Sequence, residues 1–406
     1  MTFSLPLTRF RRLRIVSRIQ FALSGLILLA GFTSLAAGDL KARSAEPMPT
    51  HWTDIRTFDI EGRGWKETKE FYDRLPAKAE KLVRPPVWSL SRHSSGMLVR
   101  FVTDATSISA RWALTSSNLA IPNMTAIGVS GLDLYVKTPT GGWRWAGVGQ
   151  PHEQTNTATL ISGMVPGERE FMLYLPLYNG IRSLQIGVPT NAVVHRAGAW
   201  GAGERKPIVF YGTSILNGFG ASRPGMVHSS ILGRRFDWPT INLGFSGQGR
   251  MEPELADLLA ELDPAVYVLD CLPNMDATDV AERVEPFVNR LRQTHPATPI
   301  VLVEDRVYAN AFLNPDRAAH HASNHAALQK AFAHLQQAGV KQLYYVPGDD
   351  LFGDDGEGSV DGSHPNDLGF MRQAEAFAKV LGPLLPATMG KIGSRTGLVA
   401  AKNSLK

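Results

Sequence analysis

Ser214 ends the stretch Ile208-Val209-Phe210-Tyr211-Gly212-Thr213-Ser214, on the turn just beyond an apolar run. A glycine shortly before it permits a tight turn, which can hold a hydroxyl out into a cleft; a serine there can equally cap a helix. Next comes Asn242-Leu243-Gly244-Phe245-Ser246-Gly247-Gln248-Gly249, rich enough in glycine to present bare backbone N–H groups to an anion. It has neither dinucleotide spacing nor a P-loop lysine. Leu272-Pro273-Asn274 brings a side-chain amide, either a donor or a turn former. Asp361-Gly362-Ser363-His364 sets a carboxylate three residues before an imidazole. That spacing lets the Asp hold one ring nitrogen and fix the tautomer a general base needs, although a helix-capping Asp beside an incidental His fits as well. Taken together, the hydroxyl, anion-cradling loop, amide and Asp–His pair suit nucleophilic acyl transfer, which requires no metal or cofactor.

The surrounding elements must bring these groups together. From Pro207–Tyr211 onward, apolar runs recur at Thr240–Leu243, Ala265–Asp270, Pro299–Val303 and Lys341–Val346. Helical periods lie between them: Leu255, Leu258, Leu259 and Leu262; then Val280, Val284, Phe287, Val288 and Leu291. An Ala-rich helix is predicted from about Asp316 to Ala338, stopped by Gly339. A last helix begins near Asn366-Asp367 and carries Leu368, Met371, Ala378 and Leu381. Such alternation predicts a parallel sheet with helices on both faces, and ligands in such sheets sit beyond the carboxyl ends of the strands. Each candidate follows a predicted strand or precedes a predicted helix. The preceding stretch, about 51–195, reads instead as short strands at hairpin intervals with no helical period between them: Met97–Val102, Ser107–Trp112, Leu132–Lys137, Thr157–Ile161, Glu170–Leu175 and Ser183–Gly187. That texture predicts an antiparallel sandwich, jelly-roll-like.

The four stretches, in this order, resemble the blocks of the SGNH (GDSL-like) hydrolase superfamily over roughly residues 205–385. The resemblance implies a flavodoxin-like α/β fold and an ester-hydrolysing activity. It makes Ser214 the nucleophile, Asp361 and His364 its triad partners, and Gly247 and Asn274 donors to the oxyanion. Thr213 replaces the usual aspartate before the serine, and the third block lacks its Gly-x-Asn-Asp surroundings. Neither position is a catalytic group in the family. Gly131-Leu132-Asp133-Leu134-Tyr135 resembles the Gly-x-Asp-Leu-Tyr module that precedes one bacterial branch. Two other stretches are set aside. Ser246 lacks the second glycine of a Gly-x-Ser-x-Gly elbow. His320, His321 and His325 have helical ligand spacing but no carboxylate of the metalloprotease pattern, so a solvated helix face is expected.

The chain of 406 residues, 44% hydrophobic and 19% charged, has ample core for two domains. Its formal charge of +5 equals the five arginines Arg9, Arg11, Arg12, Arg14 and Arg18, which share residues 1–37 with no acid. The remainder is neutral and has no electrostatic case for nucleic acid. An Arg-rich start, an apolar run from Phe21 to Leu35, and Ala36-Ala37-Gly38 have the layout of a secretory signal. The run is interrupted by polar and glycine residues and is short for a membrane span, so no stable membrane insertion is expected after processing. The expected organisation is a signal at 1–37, a linker at 38–50, a β-sandwich at 51–200, a hydrolase domain at 201–386 and a flexible tail at 387–406. Cys271, the single cysteine, lies in an apolar run and reads as a buried, inert thiol.

A secreted or periplasmic esterase beside a sandwich suggests acetyl esters on a polysaccharide, or a small-molecule ester, as substrate. Trp143, Trp145 and Trp200 are open to sugar stacking or to core packing. A lipid or short-chain ester is the alternative, although no long apolar lid is visible. A non-catalytic carbohydrate binder should have lost a triad or oxyanion group, and none is missing. No feature speaks for a particular oligomeric state. If the signal is cleaved, N-terminal sequencing of soluble protein from the native host should start near Gly38; an intact Met1 in the membrane fraction would overturn this.

Overall fold

The computed structural model describes residues 49–201, 203–349 and 351–386. The expected signal, the linker up to residue 48 and the tail lie outside them. The first half is built of β1 (Thr50–Asp54), β2 (Ile60–Glu61), β3 (Leu98–Thr103), β4 (Ile108–Leu114), β5 (Leu132–Lys137), β6 (Trp143–Gly149), β7 (Thr155–Ile161), β8 (Arg169–Tyr174), β9 (Ile181–Pro189) and β10 (Val194–Arg196). Strands β1-β9-β4-β7 form one sheet; β10-β3-β8-β5-β6 form the other, with β2 also paired to β3. All their pairings are antiparallel. In β4, Ile108, Ala110, Trp112 and Leu114 alternate inward, as a half-buried strand requires. They meet Phe101, Leu134, Phe171, Leu173, Leu184 and Ile186 in a shared core.

Helices do interrupt this half, contrary to expectation: α1 (Pro85–Ser91) and α2 (Ala126–Ser130). Both are too short to show a periodicity. α1 opens on a proline pair, and α2 is capped by Thr125, whose hydroxyl accepts from the Gly128 N–H.

The second half alternates strand and helix: β11 (Ile208–Gly212), α3 (Ser214–Asn217), α4 (His228–Phe236), β12 (Thr240–Gly244), α5 (Pro253–Leu259), β13 (Val266–Asp270), α6 (Ala277–Thr294), β14 (Ile300–Val303), α7 (Pro315–Gln337), β15 (Leu343–Val346) and α8 (Asp367–Leu381). Its five strands are parallel in the order β12-β11-β13-β14-β15, the flavodoxin-like arrangement in which the chain reverses direction across the sheet beside β11. Every residue of β11, β12 and β13 is buried, since helices cover both faces. On one face, Leu255, Leu258, Val280, Val284, Phe287 and Leu291 pack on Val209, Tyr211 and Tyr267. On the other, Ile231, Leu232, Phe370, Phe377 and Leu381 pack on Ile208, Phe210 and Val268. The inward stripe of α8 differs from the predicted one: Phe370, Gln373, Ala374, Phe377 and Leu381 are buried, whereas Leu368 and Met371 stand exposed. Both sets lie on one side of a helix, but the buried stripe is rotated toward Phe370 and Phe377, and only Leu381 belongs to both.

The two halves interleave. Trp65, Leu75, Ala79, Val83 and Val87, which lie between β2 and β3, belong to the core around α5 and α6. Elsewhere Asp133, fully buried, accepts from Arg223 Nη1 at 2.7 Å, the Gly225 N–H at 2.8 Å and Trp145 Nε1 at 3.1 Å. Tyr135 also bonds Arg223, so the Gly-Leu-Asp-Leu-Tyr stretch fastens the sandwich to the segment before α4. Asp133→Ala is expected to cost on the order of 3 kcal/mol, because it leaves a half-buried guanidinium and a buried N–H without their acceptor. Urea denaturation measures this, and an unchanged midpoint would contradict it.

Candidate active site

Ser214 opens α3 directly after β11, and the helix cap is its neighbour: Thr213 Oγ1 accepts from the Ile215 N–H at 3.4 Å. Capping is thus supplied by Thr213, and the Ser214 hydroxyl is left for His364, whose Nε2 lies 2.8 Å from Oγ. The opposite ring nitrogen, Nδ1, lies 2.9 Å from Asp361 Oδ2. Asp361 Oδ1 accepts the backbone N–H groups of Ser363 at 3.0 Å and His364 at 2.8 Å. Asp361 does not cap α8 either, because Asn366 does so by accepting from the Gly369 N–H at 3.0 Å. Partial burial works to raise the Asp361 pKa. The hydrogen bonds from His364 and Ser363 outweigh it and hold the carboxyl below its ordinary value. Asp361 is therefore an anion at neutral pH.

The glycine-rich loop approaches this line from β12. Phe245 N–H donates to the Gly212 carbonyl at 2.9 Å, locking loop to strand end. Gly249 must be glycine, since a Cβ there would lie 2.1 Å from the Gly212 oxygen. Gly247 differs: its φ of +69° is left-handed, but a Cβ would meet nothing within 4 Å. Asn274 ends a short turn after β13, at Leu272–Asn274. Hydrogen-bond consistency orients its amide with the oxygen accepting from Gln248 N–H at 3.1 Å and Gly249 N–H at 3.2 Å. The amide nitrogen keeps its two donors, and the loop and the β13 turn become one rigid piece. Ser214, Gly247, Asn274, Asp361 and His364 thus gather at the carboxyl ends of β11, β12 and β13 and the entry to α8.

A buried ion pair braces this end of the sheet. Arg306, beyond β14, grips Asp270 at the end of β13 through both nitrogens, with Nη2 at 2.7 Å from Oδ2, and both groups are inaccessible. Arg306 also donates to Gln373 Oε1 of α8 at 3.1 and 2.8 Å, linking the β13 turn to the helix that follows His364.

Four residues near the site carried no signal in the sequence. Asn123, from the loop before α2, donates to Asp361 Oδ2 at 3.3 Å. Tyr178 donates to the Ser214 carbonyl at 3.3 Å. Arg74 reaches Asn217 of α3 and the end of β12. Asn217 Nδ2 in turn holds the Leu177 carbonyl at 2.9 Å. Three of these belong to the β-rich half, where polar residues in turns and loops read as surface.

Other candidates sort as follows. Cys271 is fully buried, and burial pushes its thiol well up. The histidine cluster is not the solvated helix face expected. His320 is exposed, but His321 is buried, with Nδ1 at 2.9 Å from Asp305 Oδ2 and Nε2 accepting the Tyr308 N–H at 3.2 Å. His325 Nε2 meets the Asp305 carbonyl at 2.9 Å, because α7 packs on the loop after β14. Among the described residues no group of three or more His, Cys, Asp or Glu could hold a metal ion. No described helix is long and apolar enough to cross a membrane. Trp200 is buried in a cluster with Leu98, Tyr135, Met172 and Tyr174, Trp143 donates to Asp237 at 2.9 Å, and Trp145 is 53% exposed.

A flavodoxin-ordered parallel sheet with a Ser–His–Asp line at its carboxyl edge defines the fold class of the SGNH-type hydrolases. Residues 205–382 match the GDSL-like lipase/acylhydrolase family, and residues 50–194 match the Gly-x-Asp-Leu-Tyr module described as the N-terminus of SGNH-hydrolase-type esterases. A GDSL-like lipase from Bacteroides ovatus superposes with a TM-score of 0.79 at 35% identity, over 83% of this chain and 98% of that one. The chain belongs to the GDSL-like lipase/acylhydrolase family and is an ester-hydrolysing enzyme. The fold is shared with a salicylyl-acyltransferase from a tetracycline biosynthetic pathway (TM-score 0.68, 18% identity, 82% of this chain and 97% of that one). It is also shared with a family two carbohydrate esterase from Clostridium thermocellum, solved with cellohexaose (TM-score 0.51, 15% identity, 72% and 94%). No curated protein sequence matches the chain.

The two loop glycines should respond differently to alanine. Gly249→Ala forces the loop off Gly212 and is expected to unfold the strand end, with a large fall in thermal midpoint. Gly247→Ala carries only the left-handed penalty of about 1–2 kcal/mol. Equal midpoints for the two variants would contradict the close approach at Gly249.

Proposed function

We propose that this enzyme hydrolyses carboxylic esters through a covalent acyl-serine, and that its natural substrates are acetyl esters on carbohydrate. The observation that carries the reading is the unbroken hydrogen-bonded line from Ser214 Oγ to His364 Nε2 at 2.8 Å and from His364 Nδ1 to Asp361 at 2.9 Å. Ser214 Oγ attacks the ester carbonyl carbon while its proton passes to His364 Nε2. Asp361 orients the ring and stabilises its cation. The oxyanion is met by the backbone N–H groups of Ser214 and Gly247 and the Asn274 amide. The alcohol leaves with the proton from His364. A water then attacks the acyl carbon, giving its proton to His364, and the acid departs as Ser214 is regenerated.

The carbohydrate assignment draws on the likeness to the cellohexaose-bound esterase and on the sandwich built against the hydrolase half. A second reading, an ester with an apolar alcohol, is supported by Phe312 and Leu313. These are 82% and 74% exposed on the loop whose Ala309 N–H bonds the Gly362 carbonyl beside the triad. Secretion or periplasmic residence, by way of residues 1–37, fits both.

Ser214→Ala and His364→Ala are each expected to bring turnover of p-nitrophenyl acetate to background, since nucleophile and base act as a unit. Asn274→Ala should lower it by a factor on the order of 100–1,000 while Ser214 still reacts slowly with a fluorophosphonate. Ser246→Ala should retain substantial activity. A label on Ser246, or full activity without Ser214, would sink the mechanism. Acetate release from an acetylated oligosaccharide, compared with hydrolysis of longer acyl and aryl esters, decides between the two substrate readings.

A further inference from the structure

Arg74 is fully buried and, among the described residues, has no carboxylate partner. A guanidinium has five N–H donors, and here each has an oxygen. Nε donates to the His93 carbonyl at 2.9 Å. One Nη1 hydrogen goes to Gly244 O at 2.8 Å and the other to Asn242 O at 3.3 Å. Nη2 serves Leu90 O at 2.7 Å and Asn217 Oδ1 at 3.2 Å. The face of Phe245 lies 5.0 Å from the guanidinium carbon. Burial pushes the Arg74 pKa down to about 9, which leaves it a cation at neutral pH. An ion isolated from water at a cost of several kcal/mol is seldom kept only for cohesion when an apolar side chain would fill the space.

The partners indicate what the charge is for. Gly244 is the last residue of β12, and the loop bearing Gly247 starts at the next residue. The peptide between Gly244 and Phe245 turns its carbonyl to Arg74 and its N–H to Gly212 O at 2.9 Å, on the strand that ends at the nucleophile. Asn217 lies on α3, the helix that Ser214 opens, and its own N–H donates to Thr213 O at 3.0 Å. One rigid fork therefore spans the root of the loop that bears Gly247 and the last residue of the one-turn helix that Ser214 opens. The cation also polarises the peptide that joins them, as charge does in a medium of low dielectric.

We propose that Arg74 is a positioning residue for the oxyanion site: supplied by the β-rich half, it sets the separation of the Ser214 and Gly247 N–H groups and biases that end of the sheet toward negative charge. This rests on the acyl-serine reading above. It differs from a strut in acting on the transition state and leaving ground-state binding alone.

The test uses full-length Arg74→Met, which removes the charge, and Arg74→Lys, which keeps charge but cannot span both elements. Active sites are titrated with a fluorophosphonate, and mass spectrometry locates the label. If the label is not on Ser214, the acyl-serine reading fails whatever Arg74 does. With the label on Ser214, kcat per titrated site is expected to fall about 100-fold in Arg74→Met, as for a displacement of about 1 Å in a catalytic group. Arg74→Lys should fall less. KM for p-nitrophenyl acetate should stay within about twofold in both, since the lost interaction belongs to the transition state. The inhibition constant of phenylboronic acid, which forms a tetrahedral adduct on a serine oxygen, should rise in step with the loss of kcat. A wild-type kcat per titrated site in either variant overturns the proposal, even if its thermal midpoint falls. So does a loss confined to KM. Should Arg74→Met fail to fold, Arg74→Lys alone decides between these outcomes.

Discussion

Everything in the site depends on two strand ends coming close enough for backbone to touch backbone. The Gly249 α-carbon faces the Gly212 carbonyl with no room for a methyl group, and a Cβ on Gly244 would lie 2.2 Å from the Asn217 nitrogen. Only under that constraint can the Phe245 N–H close on Gly212, and only then does the loop stand beside the turn bearing Ser214. Asn274 adds a third attachment from β13 by accepting two N–H groups of the same loop. The polar geometry is thus set by peptide groups on rigid elements, which need no rearrangement as charge develops.

Two buried cations flank this backbone frame and are satisfied in different ways. Arg306 is neutralised by Asp270, so its effect is local bracing of β13, the loop beyond β14 and α8. Among the described residues Arg74 is solvated by carbonyl and amide dipoles, so its charge is spread but not cancelled. At short range a cancelled charge cements; an uncancelled one leaves a field.

The parallel sheet was legible in the sequence because strands covered on both faces must be apolar throughout, as Ile208–Tyr211 and Val266–Leu269 are. The long helices were legible through a stripe and a stop: Val280, Val284, Phe287, Val288 and Leu291 face inward from α6, and Gly339 follows the end of α7. Less was visible where burial is polar. α4 hides His228, Ser229 and Ser230 along with its two large aliphatics, so its pattern is faint. Ser214, Gly247, Asn274, Asp361 and His364 could be singled out because each stands at an element boundary, where the chain must turn. Arg74 could not be, since an arginine between Asp73 and Leu75 reads as solvated until five oxygens from distant segments are seen around it.

The segment from Trp65 to Val87 enters the chain before most of the sandwich strands, yet lies in the core over α5 and α6. Ribosomal synthesis therefore delivers a strip of hydrolase core long before the sheet it covers exists. The nascent sandwich must carry Leu75, Val83 and Val87 uncovered until β12 and α5 emerge. Heredity meets the same difficulty: a recombination joint placed in the glycine-containing stretch before β11 would cut between sequence families but through a single packed interior.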